Sequence, residues 1–321
     1  MQRLKTSSYL KIFIAILAWS FLGYKTATFQ HWGQLNLFDK TVTQSTMLIL
    51  VVLLMPLNVI LEAWHWKFSV SGIKKINLHS SLKMVLGSMI PAMITPLKIG
   101  EWPGRASFFP LEHRGETTIA AALAGIVKTI TLSLWGTLSL LLVLLYHENR
   151  FGYLLPVAGI TIVLLLFFVF FISGKSFRRF INRKFLSRFN KGENRLDWLN
   201  SGFTVKSIAI ASLRTSVFYI QFGLMILFFI PHTNRSEIIF YIPVYFMILT
   251  FLPAFSIADP ALRGSVAIIL FSGLAENVPL IGIAGVMLWF INNLLPMISG
   301  SVIWFRKPEF SYQVVRKRNS C

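Results

Sequence analysis

Two acid–arginine pairs, each one helical turn apart, stand in an otherwise apolar chain: Glu101 with Arg105 in TPLKIGEWPGR, and Asp259 with Arg263 in LPAFSIADPALRG. Residues at i and i+4 share a helix face, so each carboxylate can neutralise the guanidinium beside it. An ionisable group inside a bilayer costs several kcal/mol unless paired or hydrated, and such groups are usually functional. Pro96, Gly100, Pro103 and Gly104 break the helix around the first pair, freeing backbone groups that only an internal polar cavity can satisfy. A helix N-terminus beside Lys98 and Arg105 is a setting for an anion such as a phosphate. The chemistry on offer is therefore the holding of an anionic headgroup by Arg105, Arg263 and Lys98. Alternatively the two pairs merely clamp the fold, and Lys98 snorkels its amine to the surface.

Lys128, near the middle of the apolar run 117–146, is too deep to snorkel comfortably and should face the same cavity. Arg214, nearer the start of its run, reads as a snorkelling residue. Glu62 and His65 in LEAWHW have the i, i+3 spacing of a metal pair, but no further acid or histidine joins them on a neighbouring run. An interfacial cluster with Trp64 and Trp66 is the better reading. Asn292 and Asn293, midway along the last apolar run, either line the cavity or bond between helices. The six histidines are scattered, and no nucleophile elbow, HExxH, Walker A or dinucleotide turn occurs in a fitting context. No metal and no cofactor is expected, and as an enzyme the chain looks under-equipped.

The elements that must position these residues follow from composition. With 55% hydrophobic residues, 13% charged residues and a mean hydropathy of +0.66, the chain holds more apolar surface than a water-soluble domain can bury. An all-α, polytopic integral membrane protein is expected. Runs of about 20 residues, enough to cross the hydrocarbon, fall near 9–29, 44–66, 117–146, 151–173, 207–231 and 280–305. Two shorter interrupted stretches, 82–115 and 238–276, lie between them. A signal peptide competes for the first run, but it is too long for a typical h-region and no small-residue cleavage site follows, so a retained helix is expected. The lone Cys321 excludes a disulfide framework within one chain.

The net charge of +19 marks a membrane face rather than a nucleic-acid partner. Three of the 31 Lys and Arg lie in the N-tail, four in 67–83, nine in the 174–206 loop and five in the C-tail. Lys25, Lys40, Arg150 and Arg235 are left for the other side. The positive-inside rule then puts both termini in the cytoplasm. It also makes 82–115 a re-entrant hairpin: a full crossing would put the 174–206 loop outside. Each limb, 82–94 and 106–116, reaches only roughly 20 Å, too short to span. The stretch 238–276 should enter and return from the opposite side; parity alone also allows two short crossings, and the likeness of Pro253, Asp259 and Arg263 to Pro96, Glu101 and Arg105 favours the hairpin. Helix, hairpin and helix would then recur upside down, an inverted repeat that sets a substrate site at the midplane. Within 174–206, Phe177, Ile181, Phe185 and Phe189 alternate with arginine and lysine, as in a helix lying on an anionic inner leaflet. One transmembrane domain covers 1–321.

TPLKIGEWPGR resembles the signature of the lysylphosphatidylglycerol synthase transmembrane-region family, the flippase-like domain proteins. Thr95 and Pro96 match its Thr-Pro, and Gly100, Glu101 and Arg105 match its Gly-Glu and following Arg. The helix carrying Asn58 and Trp66 is similar to the helix preceding that motif. Lys98 and Ile99 stand where the family usually has Gly-Arg, Lys128 where an arginine is common, and Thr131 where an aspartate is usual. ADPALRG is similar to a later turn ending in Arg-Glu, with Arg263 matching the Arg and Gly264 replacing the Glu.

The resemblance implies a domain that moves modified phospholipids or isoprenoid-linked intermediates across a bilayer, here the bacterial cytoplasmic (inner) membrane. In the synthases a soluble domain transfers the amino acid; the chain ends soon after its last apolar run, so synthase activity is not expected. The expected function is lipid translocation, with Glu101, Arg105, Arg263, Asp259, Lys98 and Lys128 binding the headgroup. Two alternatives stand beside it: a membrane enzyme of lipid or polyisoprenyl-phosphate metabolism with Glu101 or Asp259 as general base, and a scaffold docking a cytosolic lipid-modifying enzyme on 174–206.

Overall fold

The computed structural model describes residues 2–29, 41–146, 154–172, 201–231, 235–252, 257–274 and 277–306. All regular elements among the described residues are helical. They are α1 (Gln2–Ala27), α2 (Val42–Ser69), α3 (Leu78–Ile94), α4 (Glu101–Ala106), α5 (Leu111–Tyr146), α6 (Leu154–Ile172), α7 (Ser201–Phe229), α8 (Arg235–Phe251), α9 (Asp259–Leu270), α10 (Val278–Trp289) and α11 (Leu295–Phe305). A 3-10 turn, Pro96–Lys98, lies between α3 and α4, and a π-helical turn, Phe290–Leu294, joins α10 to α11. Among the described residues, four segments are long and apolar enough to cross a membrane: Val42–Ser69, Leu111–Leu145, Val205–Phe229 and Val278–Phe305. The chain is an integral membrane protein of helical type.

Local chemistry starts two of the helices. Thr41 and Gln44 form a capping box at α2: the Thr41 hydroxyl accepts from the Gln44 amide at 3.3 Å, and Gln44 Oε1 accepts from the Thr41 amide at 3.2 Å. Asn77 caps α3 by accepting from the Ser80 amide at 2.7 Å. Without such bonds the first amides of a helix would be left unsatisfied.

The first hairpin turns where its helix breakers lie. The Thr95 hydroxyl donates to the Pro91 carbonyl at 2.8 Å and accepts from the Gly100 amide at 2.7 Å, stitching the turn to the end of α3. A Cβ on Gly100 would stand 2.2 Å from that same carbonyl oxygen, so only glycine fits. Leu97 and Lys98 hold φ of 53° and 56°, a left-handed backbone that side chains disfavour. The return limb is shorter than expected. It is the six-residue α4, and 111–116, assigned by the sequence to a limb 106–116, already belongs to α5. Arg114 closes this corner, donating from Nε to the Phe109 carbonyl at 3.0 Å, so the chain redirects into α5 early.

Packing runs through the middle of the molecule, where α2 lies along α7. Around them α3 packs on α11, α5 on α8, α4 on α5 and α9 on α10, while α1 lies against α9. An aromatic core fills the α7, α8 and α9 contact, with Phe222 stacked on Tyr245 at 4.4 Å and set edge-on to Phe271 at 6.0 Å. The expected runs 9–29 and 151–173 appear as α1 and α6 over their described residues. Residues 173–200, with the expected amphipathic stretch, lie outside the described residues, as do Pro253 and Cys321; 201–206, counted above as loop, form the start of α7.

Candidate functional site

On α2, Asn58, Glu62, His65 and Trp66 fall on one helical face, and that face is buried against the other helices. Trp64 points the other way and is exposed. Glu62 and His65 are therefore not the interfacial pair their tryptophan neighbours imply. They turn inward to different partners. His65 Nε2 lies 2.5 Å from Ser207 Oγ of α7, while Glu62 gathers three cations.

Those cations come from three other helices. Glu62 Oε1 accepts from Arg105 Nη2 of α4 at 2.5 Å and from Lys128 Nζ of α5 at 2.7 Å. Its Oε2 lies 3.1 Å from Arg214 Nη1 of α7. Arg105 Nη2 also donates to Glu101, its partner one turn earlier, and Lys128 Nζ stands 3.7 Å from that carboxylate. The Arg105 guanidinium sits 5.3 Å from the centre of the Trp66 ring, itself packed edge-on to Phe109 at 6.2 Å. Arg214, read from the sequence as a snorkelling residue, instead pairs inward and lies over Phe218 at 4.9 Å. Its guanidinium finds a carboxylate one helix away, which a surface position would not offer.

A second cluster forms where the hairpins meet. Asp259 Oδ1 accepts from Arg263 Nε at 2.9 Å, and Oδ2 accepts from the indole of Trp289 at 2.8 Å. Lys98 Nζ, from the turn of the first hairpin, lies 3.4 Å from Asp259 Oδ2 and donates to Asn293 Oδ1 at 3.1 Å. Asn293 and Asn292 sit in the π-helical turn, whose wider winding is common at functional sites. Asn292 donates to Gln221 Oε1 at 3.1 Å, and Asn58 donates to the same oxygen at 2.5 Å. These three amides make a neutral polar seam between the two charged clusters.

Two adjoining cavities open onto these groups. The first, about 230 Å³, has Glu62, Glu101, Arg105 and Lys128 in its wall. The second, about 270 Å³, is bordered by Asp259 and Arg263 together with apolar residues such as Leu132, Phe246 and Leu288. Lys98, Arg214, Phe218, Asn292 and Asn293 line both. All six residues nominated from the sequence thus reach one cavity or the other. Sequence reasoning missed Glu62 and Arg214. A signal for them exists in the stripes Asn58, Glu62, Trp66 on α2 and Ser207, Arg214, Gln221 on α7, spaced by four and by seven residues. The buried Nε of Arg105 and of Arg214 has no hydrogen-bond partner among the described residues.

Compared with protein-family models and with curated proteins, the chain finds no match.

Proposed function

We propose that this chain is a flippase-like lipid translocase, of the kind implied by its resemblance to the lysylphosphatidylglycerol synthase transmembrane-region family, and that it passes a phosphate-bearing headgroup through the paired cavities. The observation that carries this reading is the meeting of both hairpins in one polar site: Lys98 of the first contacts Asp259 of the second, and the two cavities share their dividing wall. A phosphate entering there would meet guanidinium and ammonium donors already positioned for it. The headgroup would be desolvated while its apolar chain follows the lipid phase.

The packing pattern supports the inverted repeat. If α2, α3, α4 and α5 are exchanged for α7, α8, α9 and the broken helix α10–α11, the pair α3 on α11 becomes α8 on α5, and α4 on α5 becomes α9 on α10. Each exchanged pair is itself a contact in the fold, and α2 on α7 maps onto itself. In this arrangement the site sits at the midplane of a bacterial cytoplasmic membrane, both termini are cytoplasmic, and six segments span. The state of the carboxylates favours an electrostatic cradle over a general base. Glu62, Glu101 and Asp259 each contact at least one cation, so none stands free to take a proton.

Reconstitution in proteoliposomes tests the proposal. Wild type is expected to equilibrate a labelled phospholipid or polyisoprenyl phosphate between leaflets, with Arg105→Ala and Glu101→Gln slower by tenfold or more, that is, by about 1.4 kcal/mol in the barrier. Equal rates for all three proteins would remove the charged cavity from the mechanism.

A further inference from the structure

We infer that the site selects a headgroup with two negative charges on its phosphate portion, a phosphomonoester or a diphosphate diester, over a singly charged phosphodiester. The inference rests on the translocation reading. It comes from the balance of formal charge around the two cavities. Arg105, Lys128 and Arg214 face Glu62 and Glu101, a surplus of one positive charge; Lys98 and Arg263 face Asp259, a further surplus of one.

The surplus is not dispersed into water. Arg105 and Glu62 are buried, and the side chain of Lys98, the most open of the five cations, is only 38% exposed. In such surroundings an uncompensated charge is disfavoured, so the ligand that brings the matching charge gains most. A phosphomonoester or a diphosphate diester supplies two charges, a phosphodiester one and a zwitterion none. The geometry provides reach as well: Lys98 and Arg214 lie in the wall common to both cavities, where one ligand can reach either surplus. Leu97 and Lys98 hold left-handed backbone at the hairpin turn, which fixes where the Lys98 stem departs.

Binding measurements at pH 8, where a phosphomonoester is largely dianionic, decide the matter. Purified full-length protein in a non-ionic detergent is titrated with dodecyl phosphate, methyl dodecyl phosphate, dodecylphosphocholine and inorganic phosphate, and the same preparation is assayed for lipid movement in vesicles. Dodecyl phosphate is expected to bind about tenfold or more tighter than its methyl ester. Lys98→Gln, which removes one surplus charge at the most open position, should narrow that ratio to about twofold, whereas Glu101→Gln, which adds one, should keep or widen it. Opposite effects from the two variants are not what a merely structural role would produce.

Equal binding of the monoester and its methyl ester by a protein that still moves lipid overturns the inference and leaves translocation standing. Inorganic phosphate binding as tightly as dodecyl phosphate keeps the two-charge site but makes its ligand a soluble anion, which overturns the lipid reading. Absence of binding and of lipid movement removes both.

Discussion

Lys98 and Asp259, from opposite halves of the chain, stand 3.4 Å apart and join the turn of one helical hairpin to the start of a helix in the other. This ion pair and the Lys98–Asn293 bond connect the 96–98 turn to the second half of the chain. Asp259 is the better buried partner and has three donors around it: Arg263, Trp289 and Lys98.

Removing the carboxylate should therefore hurt more than removing the amine. Asp259→Asn leaves Lys98 and Arg263 facing each other without a counter-charge, a loss of about 3 kcal/mol for a broken buried pair. Lys98→Gln costs about 1 kcal/mol or less, since its side chain is partly open. The double variant should be more stable than Asp259→Asn alone, because one of the two stranded cations is gone. Thermal unfolding of the three proteins in detergent reads this order directly; a double variant that melts below both singles would mean that Lys98 stabilises the fold by some route other than Asp259.

Glu62 should be the most sensitive single position in the site. Its two oxygens contact Arg105, Lys128 and Arg214, and no other carboxylate is placed to replace it for Arg214 among the described residues. Glu62→Gln is expected to destabilise by about 3–5 kcal/mol, more than Glu101→Gln, whose carboxylate is more exposed and whose cations retain Glu62. The yield and melting temperature of folded protein from the two variants check the ranking. Similar values for both would show that the cluster does not depend on its buried centre.

The hairpin turn gives a pair of predictions opposite in sign. Gly100→Ala drives a Cβ to 2.2 Å from the Pro91 carbonyl oxygen and should destabilise by about 3 kcal/mol, the upper end for overpacking. Leu97→Gly relieves a left-handed residue that is 58% exposed, so little packing is lost. After the entropy that glycine brings to the unfolded chain, a gain of about 0.5 kcal/mol is expected. Loss of stability on Leu97→Gly would show that the Leu97 side chain itself anchors the turn.

The charged pairs were legible in the sequence because both partners lie on one helix, where spacing alone decides contact. Glu101 with Arg105 and Asp259 with Arg263 are such cases, and Lys128 betrays itself by depth. Glu62 was not legible in the same way: its partners arrive from α4, α5 and α7, and only tertiary packing sets those distances. The flanking tryptophans also misled. Trp64 and Trp66 are two residues apart, which on a helix turns one outward and the other into the core. The hairpin itself was legible from its prolines and glycines, yet its return limb was not. The stop within 106–116 is Pro110, which stands just before Leu111, the first residue of α5, and the Arg114 bonds to the Phe109 and Ser107 carbonyls hold that corner.

A last prediction concerns depth. Because Lys98 touches Asp259, the turn of the first hairpin and the start of α9 must lie at one level, and the proposed inverted repeat would place that level near the bilayer centre. Leu97 and Ile257, each next to one of these residues or two before it, are 58% and 78% exposed and accept a nitroxide label without disturbing the core. In a Cys321→Ser background, cysteine at either position should give the high oxygen and low polar-reagent collision rates of the hydrocarbon interior. A label at Lys74, in the exposed stretch between α2 and α3, should show the reverse. The hydrocarbon half-thickness is about 15 Å, ample for such rates to separate the two levels. Headgroup-like collision rates at Leu97 or Ile257 would place the hairpin turns at the membrane surface and remove the midplane site.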